Sequence, residues 1–141
     1  VTQNSDGTWS WSYGASDGPV ESQTVTITAR DAAGVAATAT FDLLVQNAPP
    51  RISALSSIVS GGRDVELRGF FTDNGVNDTH TVVVNWGDGS APETLTDVDP
   101  LARSFAGLHR YASPGSFTIV VEVIDKDGAA DSATTSVSMA G

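Results

Sequence analysis

An internal repeat limits the folds that this chain can adopt. At an offset of 94 residues, Thr24–Ile27 aligns with Thr118–Val121, and Asp31 aligns with Asp125. The agreement continues through Gly34 with Gly128, Ala36 with Ala130, Ala39 with Ala133, Thr40 with Thr134, and Leu43 with Val137. Self-similarity at a fixed spacing is the mark of an array of similar structural units. The repeat therefore predicts one complete domain and part of a second.

The two copies differ in length. Residues 49–141 hold a whole unit, whereas residues 1–48 resemble only its back half. We place the boundary at Pro49-Pro50, because proline cannot continue a strand ladder and stiffens a linker. Half of a domain rarely folds alone and would leave an apolar face and open strand edges in water. We therefore expect either a piece of a longer array or a neighbouring subunit that adds the missing strands.

Short alternating segments predict strands along the whole chain. Phe117, Ile119, Val121 and Val123 alternate within Ser116–Ile124, so they share a face that should point into a core. Similar alternation marks Val82 to Trp86, Val65 to Phe71, Thr24 to Ala29, and Phe41 to Val45. No window of a dozen residues has a convincing helical period. Short strands with frequent turns predict an all-β protein, and a Greek-key β-sandwich is the typical architecture.

The charge and the cysteine count exclude several classes of function. The chain has 17 acidic and 7 basic residues, a net charge of −10, and no cysteine. A disulfide framework, a thiolate zinc site and a cysteine nucleophile are therefore excluded. An acidic surface repels phosphate, so we expect no nucleic-acid partner, and no apolar run is long enough to insert into a membrane. The same surface attracts hard cations such as Ca²⁺.

Three segments, Val84–Ser90, His109–Ile119 and Val123–Gly128, carry motifs that resemble those of PKD domains, an immunoglobulin-like family. Val84–Ser90 is similar to the family's WDFGDG-type motif, although Asn85 replaces the usual Asp and the Phe is missing. His109–Ile119 resembles its H-x-Y-x-x-x-G-x-Y-x-V segment, and Val123–Gly128 resembles its V-x-D-x-D-G ending. The region around Asp73 is similar to the version common in very large bacterial surface proteins. The resemblance implies an immunoglobulin-like sandwich and an extracellular or cell-surface location.

Oxygen-bearing side chains cluster in three loops that meet at one end of an immunoglobulin-like sandwich. They are Asn47 before the first strand, Asp73, Asn74 and Asp78 after the second, and Asp125 and Asp127 between the last two. Ca²⁺ takes such ligands, and converging carboxylates repel one another unless a cation lies between them. Some PKD domains bind Ca²⁺ here, which the resemblance carries onto Asn47, Asp73 and Asp125. The alternative is that these are ordinary turn residues bonding their own backbone.

Aromatic, histidine and lysine side chains are the remaining candidates. Trp9, Trp11 and Tyr13 alternate on one face of a predicted strand, so they form either a platform that stacks on sugar rings or a core face. We predict packing or hydrogen-bonding roles for the only two histidines, His80 and His109. No motif for nucleophilic or metal-dependent catalysis is present, and we expect no enzyme activity. The only lysine, Lys126, is predicted to be exposed in a turn.

Two functions follow from these patterns. The first is a non-catalytic structural or adhesive repeat of a secreted, cell-surface protein, whose partners are neighbouring immunoglobulin-like domains. Calcium would stiffen the joint between this repeat and the preceding domain. In a polymeric variant of the same function, the chain would be a subunit of a filament or sheath. The alternative is an accessory module of a secreted hydrolase that binds carbohydrate or protein. The possible external partners are therefore a surface polysaccharide or a surface protein.

Overall fold

The computed structural model describes residues 1–141 and consists of strands, turns and loops only. It divides into two compact units, residues 1–46 and residues 47–141. The all-β prediction is confirmed. The structure contains no helix that could span a membrane.

The first unit contains two separate antiparallel strand pairs. The strands are β1 (Thr2–Gln3), β2 (Trp9–Ser10), β3 (Gln23–Arg30) and β4 (Ala36–Leu43). β1 pairs with β2, and β3 pairs with β4. The side chains of β3 and β4 are exposed or only partly buried, so this unit has no closed core.

The second unit is a sandwich of two four-stranded antiparallel sheets, with strand orders β5-β6-β10-β9 and β12-β11-β7-β8. Its strands are β5 (Arg51–Gly61), β6 (Asp64–Thr72), β7 (His80–Asn85), β8 (Glu93–Thr94), β9 (Asp97–Asp99), β10 (Ser104–Arg110), β11 (Gly115–Asp125) and β12 (Ala130–Met139). The predicted immunoglobulin-like sandwich is confirmed.

The core lies between these two sheets. Ile119, Val121 and Val123 of β11 are fully buried, as their alternation predicted. Trp86, directly after β7, is 1% exposed and joins the same apolar cluster. The opposite face of β11 is open to solvent, since Val120 is 40% exposed. Alternation thus identified the buried face of this strand.

The repeat is reproduced in backbone pairing and turn geometry. In the first unit Val25 pairs with Phe41, and the equivalent pair in the second unit is Ile119 with Thr135. All eight residue pairs of β3 and β4 have counterparts in β11 and β12 at the same offset. The two turns also agree, because Gly34 has a φ of 86° and its counterpart a φ of 88°. The β3–β4 hairpin is therefore built like the last hairpin of the second unit.

The surroundings of the two hairpins differ. β11 pairs with β12 on one side and with β7 on the other, whereas β3 pairs with β4 alone. Ile119 and Val121 are fully buried, but their counterparts Val25 and Ile27 are only partly buried. The first unit thus has an unpaired strand edge and an incompletely covered apolar face.

Candidate metal centre

Three carboxylates converge at one end of the second unit. Asp73 follows β6, Asp78 lies in the loop before β7, and Asp125 ends β11. One carboxylate oxygen of each lies within 4.8 Å of the others. Asn47, the first residue of this unit, donates a hydrogen bond of 2.7 Å from Nδ2 to Asp125 Oδ2. Four of the six residues predicted from the sequence are therefore brought together.

Hydrogen bonds hold the Asp125 carboxylate in one orientation. Its Oδ1 accepts the backbone N–H groups of Asp127 and Ala129, each at 2.9 Å, and its Oδ2 accepts the Asn47 amide. Burial alone would raise the pKa of Asp125, but these hydrogen bonds outweigh burial and lower the pKa below its ordinary value. The group is therefore a fixed anion at neutral pH.

The Asp73 carboxylate is held on both oxygens. Oδ1 accepts the Gly75 N–H at 2.8 Å, and Oδ2 lies 2.8 Å from His80 Nε2. The Asp73 side chain is fully buried, and the His80 ring packs 4.6 Å from the ring of Phe71. With Asp73 ionised, His80 Nε2 must carry the proton in this contact. The predicted role of His80 in packing and hydrogen bonding agrees with this geometry.

Asp78 differs from the other two carboxylates. Its side chain is fully buried, yet neither oxygen accepts a well-directed hydrogen bond. Its charge is balanced by the Lys126 ammonium, whose Nζ lies 2.8 Å from Asp78 Oδ1. Gly75 allows this close approach, because a Cβ there would lie 1.9 Å from Asp78 Oδ2. The sequence patterns indicated neither the ion pair between Lys126 and Asp78 nor the close approach that Gly75 allows.

The donor set fits an oxygen-preferring cation. Asn47 Oδ1 and both Asp78 oxygens are buried and accept no hydrogen bond. Buried acceptors of this kind are costly, and a bound cation would satisfy them. Asn47, Asp73, Asp78 and Asp125 could together supply carboxylate and amide oxygens, which are the ligands that Ca²⁺ prefers.

The two other predicted ligands do not belong to the group formed by Asp73, Asp78 and Asp125. Asn74 is exposed, and it is not a member of the carboxylate cluster. Asp127 forms an ion pair with Lys126, and one of its carboxylate oxygens lies within 4.8 Å of an Asp78 oxygen, but Asp127 is not grouped with Asp73 and Asp125. Lys126 is exposed as a residue, as predicted, but its ammonium group turns toward two carboxylates. No local sequence pattern indicates that contact.

The aromatic candidates lie in the first unit. The rings of Trp11 and Tyr13 are nearly parallel, with an interplanar angle of 5° and centroids 5.9 Å apart. Phe41 meets the Trp11 ring edge-on at 5.5 Å. Trp9 is 49% exposed and Tyr13 45%. Only Trp9 lies in β2, so the expectation of one strand carrying all three rings was wrong.

A second, partly buried network lies around Trp86, at the end of β7. His109 stacks on the Trp86 ring at 4.7 Å, and its Nε2 is 2.9 Å from Asp88 Oδ2. Asp88 Oδ1 accepts the N–H and the hydroxyl of Ser90. The hydrogen bonds from Ser90, then from His109, lower the pKa of Asp88 to about 2. In this network the carboxylate lies between Ser90 and His109, an arrangement that braces the turn.

Comparisons with known proteins agree with the fold. The PKD1 domain of Vibrio anguillarum Epp superposes with a TM-score of 0.51 at 17% identity, covering 67% of this chain and 96% of that one. The PKD1 domain from Vibrio cholerae metalloprotease PrtV gives a TM-score of 0.51 at 18% identity, covering 66% and 99%. No curated protein matches the chain significantly. Residues 47–140 match the PKD domain family, and the chain therefore belongs to that family.

Proposed function

We propose that this chain is a non-catalytic structural repeat of an extracellular bacterial protein, and that calcium fixes the start of its PKD domain. The observation that carries the proposal is the hydrogen bond between Asn47 and Asp125 beside two further carboxylates. It joins the residue that leads into the domain to the group of anions. A cation bound there would hold the incoming chain to the sandwich.

Charge and unsatisfied oxygens support calcium as the ion. Asp73, Asp78 and Asp125 present three carboxylates, and the Asn47 amide oxygen is buried without a partner. Calcium tolerates irregular oxygen cages of six to eight ligands, whereas Mg²⁺ demands a near-ideal octahedron. The family resemblance points to the same end of the sandwich. When bound, the ion would contribute charge compensation and cross-linking of three segments.

A fixed entry point has a mechanical consequence. Pro49 and Pro50 follow Asn47 directly and restrict the backbone further. Holding Asn47 on the domain therefore limits the directions from which the preceding segment can arrive. In an array of such repeats, each occupied site would stiffen one joint, which suits a protein that spaces or presents other domains outside the cell.

Calcium titration of the intact chain by isothermal calorimetry tests the proposal. We expect saturable binding that Asp78→Asn weakens at least tenfold, because this change removes one carboxylate that makes no hydrogen bond in its own loop. Asp97→Asn is the matched control, since Asp97 is exposed on β9 and lies outside the cluster. Absence of binding in the unaltered chain would refute the calcium site.

The first unit indicates the partner of such a repeat. Its β3 strand matches β11, and β11 pairs with β7 through Val121 and Val84. We propose that the front half of a neighbouring immunoglobulin-like domain supplies a β7-type strand to β3, with the residue equivalent to Val84 opposite Ile27. Whether that half belongs to the same polypeptide or to another subunit distinguishes a linear array from a filament or sheath.

A fusion protein tests this pairing. A copy of residues 49–95 placed directly before Thr2 restores the spacing of the repeat. We expect backbone amides of β3, such as Ile27, to become protected from hydrogen exchange in the fusion. A matched fusion with the β7 copy scrambled should leave them unprotected. Equal exchange of Ile27 in both fusions would contradict the proposed pairing.

Carbohydrate binding is a second candidate function. The nearly parallel rings of Trp11 and Tyr13, and the half-exposed side chain of Trp9, favour it. One structural relative is a domain of a metalloprotease, so an accessory role in a secreted hydrolase is the setting that we consider. Pull-down on insoluble polysaccharides, with Trp9→Ala and Trp11→Ala as variants, tests this function. Binding that survives both changes would contradict a role for these rings.

A further inference from the structure

We propose that Lys126 is a tethered cation that competes with calcium for the carboxylate cluster and sets the affinity of the site. The inference rests on the proposed calcium site and adds a regulator to it. Its basis is the position of the Lys126 ammonium, 2.8 Å from the buried carboxylate of Asp78. Lys126 is the only lysine in the chain.

The negative charges of the three carboxylates in the cluster are stabilised by different groups. Backbone N–H groups and the Asn47 amide donate to Asp125, and Gly75 N–H and His80 donate to Asp73. Asp78 has no such donor, and its ion pair is with Lys126. Because an uncompensated buried carboxylate is strongly unfavourable, the ammonium stabilises the cluster when no metal ion is bound.

Calcium and the ammonium cannot both remain beside Asp78. A divalent ion close to the Asp78 oxygens would lie only a few ångströms from Nζ, and like charges at that distance repel strongly in a partly buried site. Calcium binding therefore requires the Lys126 ammonium to leave Asp78. The free energy of breaking this ion pair reduces the affinity for calcium.

The structure provides a way for the ammonium to leave. The Lys126 side chain is 31% exposed, and its stem is long and flexible. Asp127 already forms an ion pair with the same Nζ and is itself partly exposed. After displacement from Asp78, the ammonium can keep Asp127 as its partner. The negative charge of Asp78 is thus balanced in two states of the site, one with the Lys126 ammonium beside it and one with calcium.

This exchange has two consequences for the protein. The PKD domain should stay folded in chelator, because lysine replaces the ion. Calcium should bind more weakly than the number of carboxylates suggests, so the site fills only at the high calcium concentrations found outside cells. Lys126 would thereby set the concentration at which the site responds.

Calorimetric titration of Lys126→Gln with calcium is the first test. We expect the variant to bind at least tenfold more tightly than the unaltered chain, and Lys126→Arg to bind like the unaltered chain. Arg110→Gln is the control for net charge, because Arg110 pairs with Asp64 and lies outside the cluster. It should shift the affinity less than twofold.

A second measurement follows the ammonium itself. Since the chain has one lysine, ¹⁵N labelling of lysine gives a single side-chain NH₃⁺ resonance. We expect this resonance to be protected from exchange in chelator and to shift or broaden when calcium is added. This readout does not depend on the stability of any variant.

The outcomes separate the two proposals. Calcium binding of equal affinity in the unaltered chain and in Lys126→Gln, with an unchanged lysine resonance, would overturn the tethered cation and leave the calcium site standing. No calcium binding in either protein would overturn the calcium site and the competition together. Tighter binding in Lys126→Gln alone supports both.

Discussion

Asn47 Nδ2 lies 2.7 Å from Asp125 Oδ2, so the first residue of the PKD domain is hydrogen-bonded to the last residue of its β11 strand. The two residues are 78 positions apart. The contact closes the end of the sandwich at which the chain enters. Because Asp125 also accepts two backbone N–H groups of the β11–β12 turn, it connects this turn to the start of the domain.

Loss of this contact should destabilise the domain. We expect Asn47→Ala to lower the free energy of unfolding by about 1.5–3 kcal/mol, the range for hydrogen bonds to charged groups. Urea denaturation in chelator measures the change. Asn74→Ala is the control, because Asn74 is exposed in the neighbouring loop, and it should cost less than about 0.5 kcal/mol. Equal effects of the two substitutions would contradict the account of Asn47.

The glycines of the Trp-Gly-Asp-Gly turn should differ in their tolerance of alanine. Gly87 has a φ of 77°, and a Cβ there would lie 2.2 Å from the Thr118 carbonyl oxygen. Gly89 has a φ of 85°, but no atom lies within 4 Å of its Cβ position. We expect Gly89→Ala to cost about 1–2 kcal/mol for the backbone conformation alone, and Gly87→Ala to cost about 2–4 kcal/mol because overpacking adds to it. Thermal and urea unfolding of the two variants measure the difference. Equal losses would show that the Thr118 carbonyl does not limit position 87.

Equivalent positions of the repeat should contribute unequally to stability. Ile119 is fully buried, whereas its counterpart Val25 is only partly buried. We expect Ile119→Ala to cost about 2–5 kcal/mol through the cavity that it leaves, and Val25→Ala to cost less than about 1 kcal/mol. Urea unfolding monitored by far-ultraviolet circular dichroism, which follows the strands of both units, measures both effects. A large loss from Val25→Ala would mean that the first unit has a core of its own.

The Asp88 network should make stability depend on acid pH. Hydrogen bonds from Ser90 and then His109 lower the pKa of Asp88 from its ordinary value of 3.8 to about 2 in the folded protein. A depressed pKa contributes stability that is fully present above pH 4 and is lost as the pH falls toward 2, because protonation breaks the bonds from Ser90 and His109. The contribution is at most about 2 kcal/mol. Asp88→Asn should flatten the stability profile between pH 4 and pH 2 in urea titrations, whereas Asp97→Asn should leave it unchanged. If Asp88→Asn lost as much stability between pH 4 and pH 2 as the unaltered chain, this role would be contradicted.

Much of the PKD domain could be predicted from sequence because its central strands alternate strictly. β11 and β7 were recognised by their apolar faces. β5 was not, because Ser56, Ser57 and Ser60 dilute its pattern and register shifts at Ile52/Ala54 and Val59/Gly61 interrupt the alternation. β10 was also missed, since Gly107 occupies one of its inward positions beside Leu95.

The candidate site could be predicted only in outline. The immunoglobulin-like topology implied by the family resemblance was enough to place Asn47, Asp73, Asp78 and Asp125 at one end of the sandwich. The direction of the Lys126 ammonium and the place of Gly75 under Asp78 depend on side-chain packing between loops, which no local pattern encodes. Trp11 and Tyr13 lie outside the strand predicted for them, since β2 ends at Ser10.

The relative motion of the two units, with and without calcium, tests the central claim most directly. ¹⁵N relaxation of the labelled chain gives separate rotational correlation times for the amides of β3–β4 and of β11–β12. We predict that the two values converge in calcium and separate in chelator, and that Asp78→Asn keeps them apart in both conditions. Correlation times that do not change between calcium and chelator would contradict a calcium-stiffened joint.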